Sequence, residues 1–245
     1  LNVSAGSGYG LPGRGYYYIE DFNGKTIFDQ TELKITGKPL DISGTHSFDN
    51  VSLTNGATLT IRDSVLLTIT DSLYICDNCA IRADGVGDNP KGEGGSGSWG
   101  GGGGYGGKGG AGYREGVAGE TYGDTKNVEM GSKGGNGSNN SQGGLGGGKI
   151  VINAKSTILN GVLSANGQDG GGENGGAGSG GGISIASEYL DLSGRLEAKG
   201  GNGTSNSKSG GGGGRIYIKT DSPHNFWGKL NVSAGSGYGL PGRGY

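Results

Sequence analysis

The sequence predicts an all-β protein, a parallel β-helix or β-solenoid with long glycine-rich excursions. Three observations support this fold class: a 33-residue repeat in residues 149–220, an alternation of apolar and polar residues in 51–75, and the placement of the glycines between apolar runs. The chain has 63 glycines among 245 residues. Short strands of this kind cannot bury their apolar faces singly, so successive copies must stack. No stretch shows a helical period of comparable strength.

The 33-residue repeat is visible when residues 149–220 are shifted along themselves. The equivalent pairs are Ile150 and Ile183, Ile152 and Ile185, Leu159 and Leu192, Gly161 and Gly194, Leu163 and Leu196, and Ala165 and Ala198. A third copy begins at Ile216. Each copy has two short alternating strands joined at a glycine corner, followed by a Gly/Ser/Asn-rich excursion that leads to the next copy.

A second rhythm runs through residues 51–75. Apolar residues recur eight positions apart, at Val51, Leu59, Leu67 and Ile75. Turn formers such as Asn55–Gly56 lie in the gaps. Three such strands predict a coil of about 24 residues, and an excursion of about nine more would give the 33-residue unit. Earlier strands are expected around 26–28, 33–35 and 40–42.

The chain is accordingly divided into solenoid coils in 1–84, a long glycine-rich excursion in 85–148, and coils again in 149–245. Two interpretations of the excursion remain open. It is either a flexible linker or a set of ordered, polyglycine II-like helices that pack closely because glycine has no Cβ. We favour ordered packing, because Trp99, Tyr105, Tyr113 and Tyr122 provide anchors that a linker would not need.

The first 16 residues recur unchanged as the last 16, Leu230–Tyr245, at an offset of 229 positions. The second copy continues the 33-residue pattern, so residues 230–245 read as the start of a new period. We therefore expect the chain to represent one 229-residue period of a tandem array with a short overlap into the next. The alternative is a duplication at the two ends of one ordinary protein.

The two cysteines, Cys76 and Cys79, form a C-x-x-C pair. Zinc would require two further ligands, and a redox site would require a thioredoxin-like βαβ setting that the sequence does not show. A structural interpretation is favoured. Ile75 and Ile81 flank this corner at a spacing of six, whereas Leu192 and Leu196 flank the equivalent corner at four, so a disulfide could close the longer corner in an oxidising compartment.

Several asparagines lie in Asn-x-Ser/Thr sequons, the sequence signal for N-glycosylation. The candidate sites are Asn50, Asn136, Asn139, Asn202 and Asn231. Three of them, Asn136, Asn139 and Asn202, lie in glycine-rich excursions where a glycan would be accessible. Together with the expected disulfide, they favour an extracellular or cell-surface location.

Several functional classes receive little support. The formal charge of −2 and pI near 5.7 give no electrostatic footprint for nucleic acid, and no apolar run is long enough for a membrane span. Asp63, Asp71, Asp77 and Asp84 read as turn formers without His, Arg or Lys partners for acid–base work. We therefore expect no enzyme activity, no cofactor and no metal.

The pattern I/V-x-I, L-x-G-x-L-x-A-x-G and then GGGGGRIYI resembles the glycine-rich repeat regions of large surface and adhesin-like proteins with parallel β-helix, pectin-lyase-like architecture. The resemblance covers mainly residues 149–245 and more loosely 51–85, and it implies an extracellular structural or adhesive role. The leading expectation is a repeat unit of an extracellular filament, stalk or surface fibre. Its partners would be further copies of itself, head to tail and in lateral chains, and glycans.

The alternatives are an adhesin or carbohydrate-binding module and, behind it, an ice-binding protein or a β-helical glycan enzyme. An adhesin predicts an exposed groove lined with aromatic side chains, and an enzyme predicts a carboxylate cluster in such a groove. The ice-binding alternative rests on two Thr-x-Thr pairs, Thr58 with Thr60 and Thr68 with Thr70.

Overall fold

The computed structural model of the chain describes residues 2–3, 32–113, 116–203, 209–239, 241–242 and 244. These residues form eleven strands and one short 3-10 helix, Pro90–Gly92. The strands are β1 (Asn2–Val3), β2 (Glu32–Thr36), β3 (Pro39–Thr54), β4 (Thr58–Ile75), β5 (Ala80–Arg82), β6 (Lys149–Leu159), β7 (Val162–Ser164), β8 (Gly182–Leu192), β9 (Arg195–Glu197), β10 (Arg215–Phe226) and β11 (Lys229–Asn231). Every pairing between these strands is parallel. The expected all-β, solenoid-like fold is confirmed.

The pairings sort into three ladders that the chain visits in turn. Ladder A pairs residues 44–48, 65–69, 150–154, 183–187 and 216–220. Ladder B pairs residues 32–36, 50–54, 72–75, 156–159, 189–192 and 222–226. Ladder C pairs residues 39–42, 58–60, 80–82, 162–164, 195–197 and 229–231. The long strands β3 and β4 bend from one ladder into the next at register shifts.

One apolar core lies between the three ladders. Because side chains alternate along a strand, every second residue of each strand points inward. Residues that pair along a ladder point in the same direction, so the inward positions line up from rung to rung. In ladder C, Leu59, Ile81, Leu163 and Leu196 lie opposite one another and are fully buried. Inward residues of all three ladders belong to the same cluster. Stacking therefore builds the core from residues that no single coil could bury.

The 33-residue repeat predicted the register of the later coils correctly. Ile150 pairs with Ile183 and Leu159 with Leu192. The eight-residue rhythm was less accurate, because Val51 pairs with Leu73 and not with Ile75. The shift is two residues, so the same side chains still point inward. The strand expected at 26–28 lies outside the described residues.

Corners between ladders B and C carry glycines for two reasons. Gly37 and Gly56 have φ values of 65° and 75°, a left-handed conformation that glycine adopts without strain. Gly161 and Gly194 occupy the same corner in later coils, where a Cβ would lie closer than 3.0 Å to backbone carbonyls of the preceding coil. Close approach between stacked corners therefore demands glycine there.

Each glycine-rich excursion leaves the solenoid after ladder C and returns before ladder A. The strands end at Arg82, Ser164 and Glu197 and resume at Lys149, Gly182 and Arg215. Despite the long excursion between them, β4 and β6 pair directly. The excursions thus begin and end at the same edge of consecutive coils, and the stack itself is not interrupted.

Candidate functional site

We use the name glycine block for the described residues of 83–148, 165–181, 198–214 and 232–244. Residues 176–181 show how it is held together. Their successive backbone N–H groups donate to three different segments, and every third group returns to the same segment. The donor–acceptor pairs are Gly176 to Gly135, Ala177 to Ser209, Gly178 to Gln168, Ser179 to Ser132, Gly180 to Gly212, and Gly181 to Ala165. The hydrogen bonds therefore follow a period of three residues.

The carbonyl groups of residues 176–181 face other segments again. They accept from the N–H groups of Gly103, Gly144, Gly147 and Gly201. This short segment is consequently bonded to six neighbours: three through its donors and three through its acceptors. No β-ladder has such an arrangement, because a strand bonds to at most two neighbours.

In residues 176–181 glycine is required by close packing and not by backbone conformation. None of the glycines in 176–181 has a positive φ. A Cβ on Gly176 would lie closer than 3.0 Å to the backbone of Gly101, and one on Gly101 closer than 3.0 Å to that of Val117. The packing around the glycines of 176–181 is thus made mainly of backbone, with hydrogen bonds in place of apolar side chains.

A buried aromatic and cationic cluster joins the block to the solenoid. The Tyr105 ring is fully buried, and the Arg215 guanidinium carbon lies 4.9 Å from its centroid. Arg215 also donates from Nη1 to the Asp124 carbonyl at 2.7 Å. Arg215 opens strand β10, so this contact fixes the long excursion against a ladder A strand.

Two phenols in this cluster are held in the neutral form. Burial raises the pKa of Tyr105 from 10.0 to about 12, and burial also raises the pKa of Tyr122. The Tyr105 hydroxyl oxygen accepts from the Glu129 N–H at 2.5 Å, while the Tyr122 hydroxyl donates to the Met130 carbonyl at 2.5 Å. Burial also acts to raise the pKa of the Glu129 carboxyl, but hydrogen bonds from Lys91 and Asn89 outweigh it and the net shift is downward.

Cys76 and Cys79 form the expected disulfide, with 5.0 Å between their Cα atoms. Ile75 pairs with Leu159, and Ile81 pairs with Leu163. The disulfide corner is therefore two residues longer than the next corner in this row. The preceding corner, from Leu53 to Leu59, is equally long and has no cysteine, so length alone does not account for the disulfide.

The sequons occupy two kinds of position. Asn136, Asn139 and Asn202 are exposed, at or near the outer turns of the block, residues 96–99, 138–141, 171–174 and 236–239. Asn50 and Asn231 are half-buried on the ladders. The Asn50 side chain accepts from the Ser72 hydroxyl, and Asn231 accepts from the Ser233 N–H at 2.9 Å.

A groove of about 360 Å³ crosses four rungs near the bend between ladders A and B. Its lining residues are Thr68, Ile69, Thr70, Asn153, Ala154, Lys155, Ala186, Ser187, Glu188, Lys219, Thr220 and Asp221. None is aromatic. The four charged side chains are exposed to solvent, which leaves them without the desolvated setting that acid–base catalysis uses.

The four aspartates noted in the sequence have different surroundings. Asp63, Asp71 and Asp77 are exposed, and Asp84 accepts hydrogen bonds from Ser164 Oγ at 2.8 Å and from the Asn166 N–H at 2.7 Å. Within the described part of the chain, no group of three or more His, Cys, Asp or Glu side chains could hold a metal ion. No helix among the same residues is long and apolar enough to cross a membrane.

One end of the solenoid exposes residues that are buried in every other coil. Leu230 pairs with the buried Leu196 but is 48 % exposed, and Phe226, opposite the buried Leu192, is 46 % exposed. Trp227 between them is 81 % exposed. We call this surface the open end. Near the opposite end, Leu33 and Ile35 of β2, on which β1 pairs, are buried.

Comparison with known proteins identifies no relative: no protein-family model, curated protein or solved structure matches the chain. The open end and the six-neighbour packing within the glycine block are the two features of the described residues that the sequence alone did not specify. The exposure of Leu230 could have been inferred from its place in the last copy of the repeat. The six-neighbour packing has no counterpart in a local sequence signal.

Proposed function

We propose that the chain is a structural repeat unit of an extracellular filament, stalk or surface fibre built from tandem 229-residue units. The observation that carries the proposal is the open end. Ladders A and C pair without a shift to the last rung, ladder B pairs to the last rung with one register shift between Pro223 and Asn225, and there Leu230 and Phe226 are exposed. An added rung would bury both and pair the free backbone groups of β10 and β11, as it does for every earlier coil.

The duplicated sequence supports a second copy as the source of that rung. Asn231 belongs to the last rung of ladder C, and the sequence after Tyr245 in an array would be that of residue 17 onward. The structure describes most of the second copy of the 16-residue segment but only residues 2–3 of the first. Asn2 and Val3 pair with Lys34 and Ile35 in ladder B, and residues 4–16, on which a superposition depends, lie outside the described residues.

The glycine block would give such a fibre a second, stiff layer. We assign its packing to the polyglycine II type, in which extended helices of three residues per turn bond to several neighbours. The hydrogen-bond period of three and the six neighbours of residues 176–181 support this assignment. Each coil added along the fibre axis would then also add one excursion to the glycine block.

An extracellular location agrees with the disulfide and with the sequons at the outer turns. Glycans are expected on at least one of Asn136, Asn139 and Asn202, and not on the half-buried Asn50. Native protein treated with an N-glycosidase should lose mass, and peptide mapping should place the modified asparagines. A native mass equal to that of the bare sequence would remove the glycoprotein assignment.

Electron microscopy of a recombinant chain with two periods in tandem tests the filament directly. We expect a continuous rod whose length is about twice that of the single-period chain, because the second period continues the same ladders. Substituting Leu230→Asp in the internal joint should break the rod into two particles, while Leu66→Asp on the outer side of ladder A should leave it continuous. Two separated particles in the unsubstituted chain would contradict the proposal.

An adhesive or carbohydrate-binding role is the second candidate, and one observation favours it. Trp99, Tyr113 and Tyr238 form a cluster near the outer turns, with ring centroids 5.2 and 5.5 Å apart and edge-to-face. Tyr238 is 44 % exposed, and aromatic faces are common sugar-binding surfaces. Binding on a glycan array that Trp99→Ala abolishes would support this role.

A further inference from the structure

The terminal segment 230–245 completes the glycine block by a regular set of backbone bonds. On one side it receives hydrogen bonds from the preceding excursion at intervals of two or three residues. These run from the N–H groups of Ala198, Gly200 and Gly203 to the carbonyls of Asn231, Ser233 and Ser236. On its other side the Gly235 N–H donates to the Gly211 carbonyl, and the Gly242 carbonyl accepts from the Gly213 N–H. The segment therefore lies as the outermost layer on a surface made by the rest of the chain.

The contacts that this surface makes require particular residue types at particular positions of the segment. A Cβ on Gly235 would lie closer than 3.0 Å to the Gly201 carbonyl, and one on Gly244 equally close to the Gly214 carbonyl. The Tyr238 ring packs edge-on against Tyr113. The Asn202 side-chain oxygen accepts from both the N–H and the hydroxyl of Ser236, each at 3.0 Å. Few other sequences would satisfy glycine, serine and tyrosine requirements at this spacing.

Residues 1–16 satisfy all of them because they are the same sequence. Gly6, Ser7, Tyr9 and Gly15 stand where Gly235, Ser236, Tyr238 and Gly244 stand in the second copy. The described part of the first copy occupies a different place, since Asn2 and Val3 lie beside ladder B and Asn231 lies in ladder C. The described part of the first copy is held there by two residue pairs, Asn2 with Lys34 and Val3 with Ile35.

We propose that the surface under residues 230–245 is a docking site for residues 1–16 of a second copy of this chain. The segment of one molecule would take the place of the resident segment in another, so that separate chains join head to tail by donating a strand. The proposal rests on the filament function above and specifies its joint. It adds that the joint forms between chains as well as within one, through backbone bonds already described for the resident segment.

The test uses the full chain with its own segment displaced by Gly235→Val and Gly244→Val. Sedimentation velocity should show oligomers that grow with concentration, while the unsubstituted chain, whose site is filled, stays monomeric. A labelled peptide with the sequence of residues 1–16 should dissolve these oligomers. It should also bind the variant roughly tenfold or more tighter than it binds the unsubstituted chain.

The matched control carries the same two changes in the first copy as well, Gly6→Val and Gly15→Val. It should stay monomeric, and a peptide with those valines should not bind. A folded Gly235→Val, Gly244→Val variant that neither associates nor binds the peptide overturns the proposal. Should that variant lose its β-sheet circular dichroism, Tyr238→Ala, which keeps the backbone bonds, decides by the same measurements, with Tyr9→Ala in the control.

The docking proposal and the filament proposal can fail independently of each other. A tandem chain that forms continuous rods while the peptide does not bind leaves the filament intact and removes strand donation. Peptide binding together with separated particles from the tandem chain does the reverse.

Discussion

Gly44 and Gly176 show the two separate reasons for which this chain uses glycine. Gly44 has a φ of 87°, and a Cβ there would meet nothing within 4 Å. Gly176 has no positive φ, but its Cβ would collide with the Gly101 carbonyl. Gly176→Ala should therefore lower the free energy of unfolding by about 3 kcal/mol, the upper end for overpacking a close-packed interior. Gly44→Ala should cost only about 1 kcal/mol, for the left-handed backbone.

Urea unfolding of the two variants measures this difference. Both substitutions add one methyl group, so their chemistry is matched and only the surroundings differ. Equal losses of stability would mean that the glycine block relaxes around the added methyl, and the close-packing argument would then be wrong.

Thr157 is a polar residue in an apolar row. It faces Leu73 on one side and Leu190 on the other, is fully buried, and its hydroxyl has no hydrogen-bond partner among the described residues. A buried, unbonded hydroxyl costs stability. Thr157→Val, which keeps the branched shape, should raise the free energy of unfolding by about 1 kcal/mol.

The control is Thr68→Val on the exposed side of ladder A, which should change the free energy of unfolding by less than about 0.5 kcal/mol. Chemical denaturation of the three proteins gives the comparison. A destabilised Thr157→Val protein would indicate that the hydroxyl is bonded in solution.

At the scale of elements, the joint between the long excursion and strand β10 predicts a response to alkaline pH. Tyr105 keeps its proton in the folded protein up to about pH 12, whereas the unfolded chain loses it near pH 10. Below pH 10 the Tyr105 hydroxyl is protonated in both the folded and the unfolded state. Tyr105 therefore contributes no pH dependence to the free energy of unfolding there. Between pH 10 and 12 only the unfolded state loses the proton, and the free energy of unfolding should fall by roughly 2–3 kcal/mol.

Urea unfolding at several values of pH from 8 to 12 tests this expectation. Tyr105→Phe cannot ionise, so its stability should fall less steeply over the same range. Some slope should remain, because the pKa of Tyr122 is raised as well. Identical slopes for the two proteins would show that Tyr105 titrates normally in the folded state.

How far the sequence predicts these elements depends on whether an element is defined by local pattern. The register of β6 with β8 follows from the 33-residue repeat, and the disulfide was predicted from the C-x-x-C pair in the corner between Ile75 and Ile81. The rung from Val51 to Leu73 was misjudged by two residues, because the offset between paired residues of β3 and β4 begins at 19 in ladder C and, although it grows at each register shift, reaches only 22 in ladder B. The partners of residues 176–181 could not be predicted, since glycine presents no side chain whose pattern would identify a neighbour.

At the scale of the whole molecule, the rung count predicts the repeat distance of a fibre. Ladder C has six rungs in residues 39–231, whose five steps advance the axis by about 24 Å at the usual strand spacing of about 4.8 Å. About eight rungs were expected for a full 229-residue period, which would advance it by about 38 Å. X-ray diffraction from aligned fibres should therefore show an axial repeat between about 24 and 40 Å.

The same pattern should contain a meridional reflection near 4.8 Å, because the strands cross the fibre axis. A repeat more than about twice the expected value would mean that linkers separate the units. The single-period chain, which forms one unit only, serves as the control for the axial repeat.

The bonds between successive excursions have a mechanical consequence. Tension along the stack would pull each coil away from the next, and in a plain solenoid only the ladder bonds would resist it. Here the excursion 165–170 is bonded to 197–202, and 198–203 to 231–236, by links that join the same pairs of coils as the ladders. These links act in parallel with the ladder bonds, so each interface must break a larger number of hydrogen bonds at once. Such a fibre would gain tensile strength in proportion to the length of its excursions, without any change in its apolar core.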